Sequence, residues 1–230
     1  MIRAVVFDCD GVLSDNGSSW QLIHKFFGTG ENDGGRHREK LEMFLDGEIS
    51  EEEFVAHDIQ LWREVSPEIH RDDIIRCYSG VGLIDGARAV VEELQTRGVF
   101  VAIVSSGVDL FVGAIANMLK VDDWAANGFE WDEDGWLVKG LPTRVLSHDK
   151  GSMVEKLARI NGFNASDIIS IGDSSSDLSM MIEGSQFIGF NPRRERAKIA
   201  FEEAKVPIVE EKDLRLIWPH IFPGENLLTR

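Results

Sequence analysis

Only two cysteines, Cys9 and Cys77, occur in 230 residues, too few for a disulfide framework. No Cys-x-x-Cys or Cys/His spacing marks a zinc site, and two unpaired thiols fit a reducing compartment. Cations are also scarce: 24 Lys and Arg stand against 40 Asp and Glu, a formal net charge of −16. Such a surface repels phosphate backbones and argues against nucleic acid as a partner unless a local basic cluster intervenes. The one dense cluster, Arg193-Arg194-Glu195-Arg196-Ala197-Lys198, is interrupted by acid and reads as a solvated helix face. No apolar run is long enough to cross a bilayer, and Met1 leads directly into a strand rather than a signal-like segment. The expectation is a cytoplasmic protein with no membrane partner. Internal repeats and low-complexity tracts are absent as well.

What is present is an ordinary globular balance, 43% apolar and 28% charged, sufficient for a sizeable core. Ile2 to Phe7 reads as a buried strand that ends in Asp8-Cys9-Asp10-Gly11. Two carboxylates at a strand mouth call for a cation, a proton or a substrate between them, because an isolated buried charge is prohibitively costly. Further apolar runs repeat the pattern. Val99 to Val104 stops at Ser105-Ser106-Gly107, Ile168 to Ile171 stops at Gly172-Asp173, and Phe187 to Phe190 ends at Asn191-Pro192, an N-cap and N1 pair for a following helix. Ala87, Val90, Val91 and Leu94 keep helical spacing, as do Met153, Val154, Leu157 and Ala158. Continuous apolar strands alternating with amphipathic helices predict an α/β fold, a Rossmann-like parallel sheet with helices on both faces.

Residues 16 to 80 break that rhythm. Trp20, Ile23 and Phe27 mark one helix, and Leu41, Phe44 and Leu45 a second. A capping box at Ser50 and Glu53 opens a third, and Ser66-Pro67 a fourth, with a glycine-rich loop at Gly28 to Gly35. This predicts an α-helical cap inserted at 16–80 into a core of 1–15 and 81–230, placed over Asp8 and Asp10 where it can exclude water. Phe129 to Val138 reads as a β-hairpin turning at Gly135. Pro223 to Arg230 reads as a loosely held tail. Trp20 and Trp62 read as cap packing, and His57, His70 and His148 as surface or capping residues.

Asp8-x-Asp10, Ser105, Lys150 at a helix start and Gly172-Asp173-Ser-Ser-Ser-Asp177 stand in an order and spacing that resemble the haloacid dehalogenase superfamily. The likeness is to its phosphatases with a small helical (C1-type) cap, in the phosphoserine phosphatase-like branch, and it spans Val5 to about Leu216. The resemblance implies hydrolysis of a small phosphomonoester through an aspartyl phosphate. Asp8 would be the nucleophile, and Asp10 the general acid and base. Ser105, Ser106 and Lys150 would hold phosphoryl oxygens. Mg²⁺ would bind Asp8, the main-chain carbonyl of Asp10 and Asp173, with Asp177 orienting the surroundings. The residue types suit the chemistry: a carboxylate nucleophile splits one hard displacement into two easier ones, and Mg²⁺ takes hard oxygen ligands.

The likeness thins at the substrate. Phosphoserine phosphatases carry a glutamate where Gly17 stands, which reads the substrate's amino group, and a cap arginine where Glu53 to Asp58 has none. A small phosphorylated metabolite is the expected partner, with phosphoserine disfavoured, acted on by a monomer or homodimer. The alternatives are a phosphotransferase or mutase of the same superfamily, and a non-catalytic phosphate-sensing or partner-binding protein.

Overall fold

The computed structural model describes residues 1–30 and 34–227. In chain order, β1 (Ala4–Phe7) is followed by α1 (Ser19–Phe27), α2 (Arg36–Leu45), α3 (Glu51–Val65) and α4 (Arg71–Cys77). Then come α5 (Ala87–Thr96), β2 (Phe100–Val108), α6 (Asp109–Leu119), β3 (Asp123–Asn127), β4 (Phe129–Trp131) and β5 (Leu137–Gly140). The chain closes with α7 (Gly151–Asn161), β6 (Ile168–Gly172), β7 (Gln186–Phe190), α8 (Glu195–Ala204), β8 (Ile208–Val209) and α9 (Trp218–Ile221). Part of the glycine-rich loop, 31–33, and the end of the expected tail, 228–230, lie outside the described residues.

β1 is buried along its whole length, and its side chains divide by the strand's period of two. Val5 and Phe7 join an apolar cluster with α5, α6 and α9, while Ala4 and Val6 join another with α7 and α8. Both faces are therefore covered, which is what continuous apolar strands require. The six strands are parallel, in the order β3-β2-β1-β6-β7-β8. β1 pairs with β2 on one side and β6 on the other, in register from Ala4 opposite Phe100 and Ile168. The chain reverses its direction of travel across the sheet at β1 and β6, and the crevice beyond their carboxyl ends is the place where such sheets bind ligands.

A third apolar cluster gathers Ile23, Phe27, Ile59, Trp62, Ile69 and Ile74 of the inserted helices with Phe129 and Leu137 of the hairpin. Trp62 is fully buried at its centre, near-parallel to Trp20 and Phe27 and edge-on to Phe129. The hairpin thus packs with α3, and the Arg63 guanidinium donates to the carbonyl oxygens of Leu137 and Val138.

Several boundaries differ from the sequence expectation. β2 does not stop at Ser105 but runs to Val108, with an irregularity in its pairing to β3 between Val104 and Val108. The fourth inserted helix starts at His70, which makes the capping box with Asp73, rather than at Ser66-Pro67. Asn191 and Pro192 do not cap α8: Asn191 takes a left-handed φ of 44° while its N–H donates to Val209 O at 2.6 Å, and the helix begins after Arg194. After β6 the chain makes a 3₁₀ turn over Ser175–Met180. The tail is anchored as far as described, with Leu227 buried and Glu225 paired to Arg97 at 2.7 Å.

The helices α1, α2 and α3 meet at a buried polar centre. Asp58 lies 3.1 Å from His24 Nε2 and 2.8 Å from His37 Nδ1. Burial pushes the Asp58 carboxyl up, but the His24 and His37 imidazoles beside it outweigh that and hold it below the usual carboxylate range. A carboxylate with a depressed folded-state value contributes stability above its unfolded value and loses it as the pH falls through the folded one. Asp58→Ala, which strands two imidazoles without their acceptor, is expected to lower the unfolding free energy by about 3 kcal/mol at neutral pH, measured by urea titration. The gap between variant and wild type should close under acid conditions.

Candidate active site

Asp8 follows the last residue of β1 and is 5% exposed; its N–H donates to Ile171 O of β6, which fixes the strand end. Asp173 follows β6, next to it in the sheet, and Lys150 sits at the start of α7 with its side chain 3% exposed. The Lys150 ammonium donates to Asp8 Oδ1 at 2.9 Å and to Asp177 Oδ1 at 2.6 Å. The other Asp177 oxygen accepts from the N–H of Asp173 at 3.1 Å, the N–H of Ser174 at 2.9 Å and the Ser174 hydroxyl at 2.7 Å. Asp177 is therefore saturated, and it ties the lysine to the loop that carries Asp173.

Carboxylate oxygens of Asp8, Asp173 and Asp177 lie within 4.8 Å of one another. Burial pushes the Asp8 carboxyl up to about 7, with Lys150 opposing and Asp177 and Asp10 adding to the rise. Burial likewise lifts Asp173 to about 8, reinforced by the negative charges of Asp177 and Asp8. Burial alone would drive Lys150 down, but the two carboxylates outweigh it and hold the ammonium well above its ordinary value. One lysine thus fails to neutralise the group. Asp8 Oδ2 and both Asp173 oxygens accept no hydrogen bond among the described residues. Unsatisfied hard oxygens converging in a buried, negatively charged site are the donor set a small divalent cation takes. Gly11 permits the approach: its φ is +83°, and a Cβ there would collide with the Asp173 carboxylate.

Asp10 is held differently. Its Oδ1 accepts from Asn16 Nδ2 at 2.6 Å, and its Oδ2 from the Ser19 N–H at 3.0 Å and the Ser19 hydroxyl at 2.8 Å. The Ser19 oxygen in turn accepts from Val108 N–H at 3.0 Å, so its own proton is committed to Asp10. Gly107 passes close by, where a Cβ would lie 2.7 Å from Asp10 Oδ2. Ser105 is buried, with its hydroxyl oxygen accepting from Gly107 N–H at 3.1 Å. Trp20 Nε1 donates to Ser106 O at 3.0 Å, fastening the first inserted helix to the strand that carries both serines.

Asp8, Asp10, Ser105, Ser106, Lys150 and Asp173 line one cavity of about 290 Å³, and Asp177 is buried behind it. Sequence reasoning missed Asn16 and Ser19, which orient Asp10; a polar run just beyond a strand-end acid was their only signal. It also read Trp20 as packing alone, yet that residue lines the cavity. The cluster Arg193, Arg194 and Arg196, read as a solvated face, is exposed but lines the cavity too.

The profile of the haloacid dehalogenase-like hydrolases matches residues 5–181, well over half of the chain. The chain is 28% identical over 220 residues to a phosphoserine phosphatase of Methanocaldococcus jannaschii, covering 95% of this chain and 97% of that one. It is 25% identical over 227 residues to a phosphoserine phosphatase of Wolinella succinogenes, covering 96% and 100% of the two chains. A solved phospho-aspartyl intermediate analogue of phosphoserine phosphatase superposes with a TM-score of 0.76 at 26% identity, covering 95% of this chain and 98% of that one. The protein belongs to the haloacid dehalogenase-like hydrolase family, and the relatives it is similar to there are phosphoserine phosphatases.

Proposed function

We propose that the protein is a Mg²⁺-dependent phosphatase of a small phosphorylated metabolite, with Asp8 as nucleophile and Asp10 as general acid and base. The observation that carries this is the division between the two acids. Asp8 is buried against the Lys150 ammonium at 2.9 Å, while Asp10, held by Asn16 and Ser19, lines the same cavity without touching that lysine.

In the first half-reaction an Asp8 oxygen bonds to phosphorus as the ester P–O bond breaks, and Asp10 gives its proton to the departing alkoxide. In the second, Asp10 takes a proton from water, which attacks phosphorus and returns Asp8 as a free carboxylate with inorganic phosphate. Lys150, Ser105 and the backbone N–H groups after Ser105 bind the non-bridging oxygens and keep the attack in line. Mg²⁺, held by Asp8, Asp173 and the main-chain carbonyl of Asp10, would supply charge neutralisation between the carboxylates and the phosphoryl group. Residues 16–80 act as a cap, with Trp20 as its contact to the Ser105-Ser106 strand, and exclude water during transfer.

The test is release of phosphate from an aryl phosphate, with and without Mg²⁺. Turnover that disappears with a chelator and returns with Mg²⁺ is expected; absence of turnover on that ester and on a panel of metabolite monoesters would refute the reading. Asp10→Asn is expected to lower turnover by roughly 10²–10⁴-fold with little change in KM, in steady-state assays. Protons compete with the metal for Asp8 and Asp173, which lie near 7 and 8. Apparent Mg²⁺ affinity should therefore weaken as the pH falls through that range, read from activation curves at a series of pH values.

A further inference from the structure

The strongest basic cluster in this acidic chain has no role in the reaction derived above. Arg193, Arg194 and Arg196 nevertheless line the same cavity as Asp8 and Lys150. The left-handed turn at Asn191 makes this possible, because it bends the chain after β7 so that the following residues pass over the cavity mouth. Arg194 and Arg196 have no ion-pair partner among the described residues, and Arg193 has only the half-exposed Asp15 at 3.4 Å. In a chain of net charge −16, three neighbouring guanidinium groups with one acid paired among them, Asp15, repel one another and favour an outside anion. α8 adds to the same field, since Arg194 at its N-cap position leaves its first N–H groups without a side-chain cap.

The rest of the wall carries no opposing charge. Apart from Asp8, Asp10 and Asp173, which belong to the reacting centre, no carboxylate among the described residues lines the cavity. Gly17 leaves its floor open beside the cluster: a Cβ there would lie 3.7 Å from Arg193 Nη1 and 3.8 Å from Gln21 Oε1. Away from the reacting centre the described lining thus holds no carboxylate to pair with a substrate ammonium, and it holds three forked donors suited to an oxyanion.

We propose that Arg193, Arg194 and Arg196 form a subsite for a second anionic group of the substrate, a carboxylate or phosphate on the part that leaves with the alcohol. The proposal rests on the phosphatase reading and names the class of substrate that reading leaves open.

Matched esters test it: glycerol 3-phosphate with a neutral tail, 3-phosphoglycerate with a carboxylate, and glycerol 1,3-bisphosphate with a second phosphate. At least one anionic tail is expected to give kcat/KM roughly 10–100-fold above the neutral one, mostly through KM and falling with added salt. The comparison between the two anionic esters identifies the preferred oxyanion. The Arg193→Gln/Arg196→Gln double variant should erase the preference while keeping the wild-type melting temperature. Equal kcat/KM for all three esters, or a preference that survives the double variant, would overturn the subsite. Should none be turned over, the aryl phosphate assay judges the phosphatase reading separately, and calorimetric binding of the same compounds still decides the subsite. Tighter binding of an anionic tail, lost in the double variant, supports it, and equal binding sinks it.

Discussion

Everything at the carboxyl end of the sheet is arranged around one buried cation. Lys150 reaches from the start of α7 to bridge Asp8 on β1 and Asp177 behind the β6 loop. Removing a charge from water is costly unless it is paired and hydrogen-bonded. The lysine meets that condition for itself, and for Asp8 and Asp177 in part. It compensates Asp173 too weakly to offset burial and the neighbouring acids, so the group retains excess negative charge and unsatisfied oxygens. That shortfall is what a divalent cation held by these carboxylates would neutralise, in keeping with the proposed function. A fully neutralised cluster would be more comfortable and chemically inert.

The sheet makes the convergence possible. Parallel strands buried on both faces place their carboxyl ends side by side, and the reversal at β1 and β6 opens the crevice between Asp8 and Asp173. Gly11 lets the first loop turn away without striking Asp173, and Asp177 draws in the N–H groups of the second. Asp10 faces a different environment only because α1 arrives from the insert with Ser19 at its start. The helical insert therefore does more than cover the site: it supplies donors that orient the second acid.

The sheet and the acid pair were legible in the sequence for a common reason. Strands buried on both faces read as unbroken apolar runs, and strand-end carboxylates in that setting have few structural excuses. The capping box at Ser50 and Glu53 was legible because its parts are local. What escaped depends on contacts distant in the chain. Ser19 meets Asp10 through the placement of a whole helix, and β2 continues past Ser105 because its partner strand accepts it there. The arginines after β7 looked like a solvated face because their charge pattern is indistinguishable from one; only the turn at Asn191 brings them to the cavity. Conversely, the absence of a glutamate at Gly17 was legible, but what that absence leaves room for was not.

The claim on which the account depends is that the acid paired with Lys150, and not its neighbour two residues on, carries the phosphoryl group. Acid quenching during turnover of an aryl phosphate, borohydride reduction of the acyl phosphate and peptide mapping by mass spectrometry test it directly. The account predicts homoserine at position 8 in place of Asp8, with Asp10 and Asp173 unmodified. Reduction at Asp10 or Asp173 instead, or a phosphoryl group trapped equally well on Asp8→Asn protein, would contradict it.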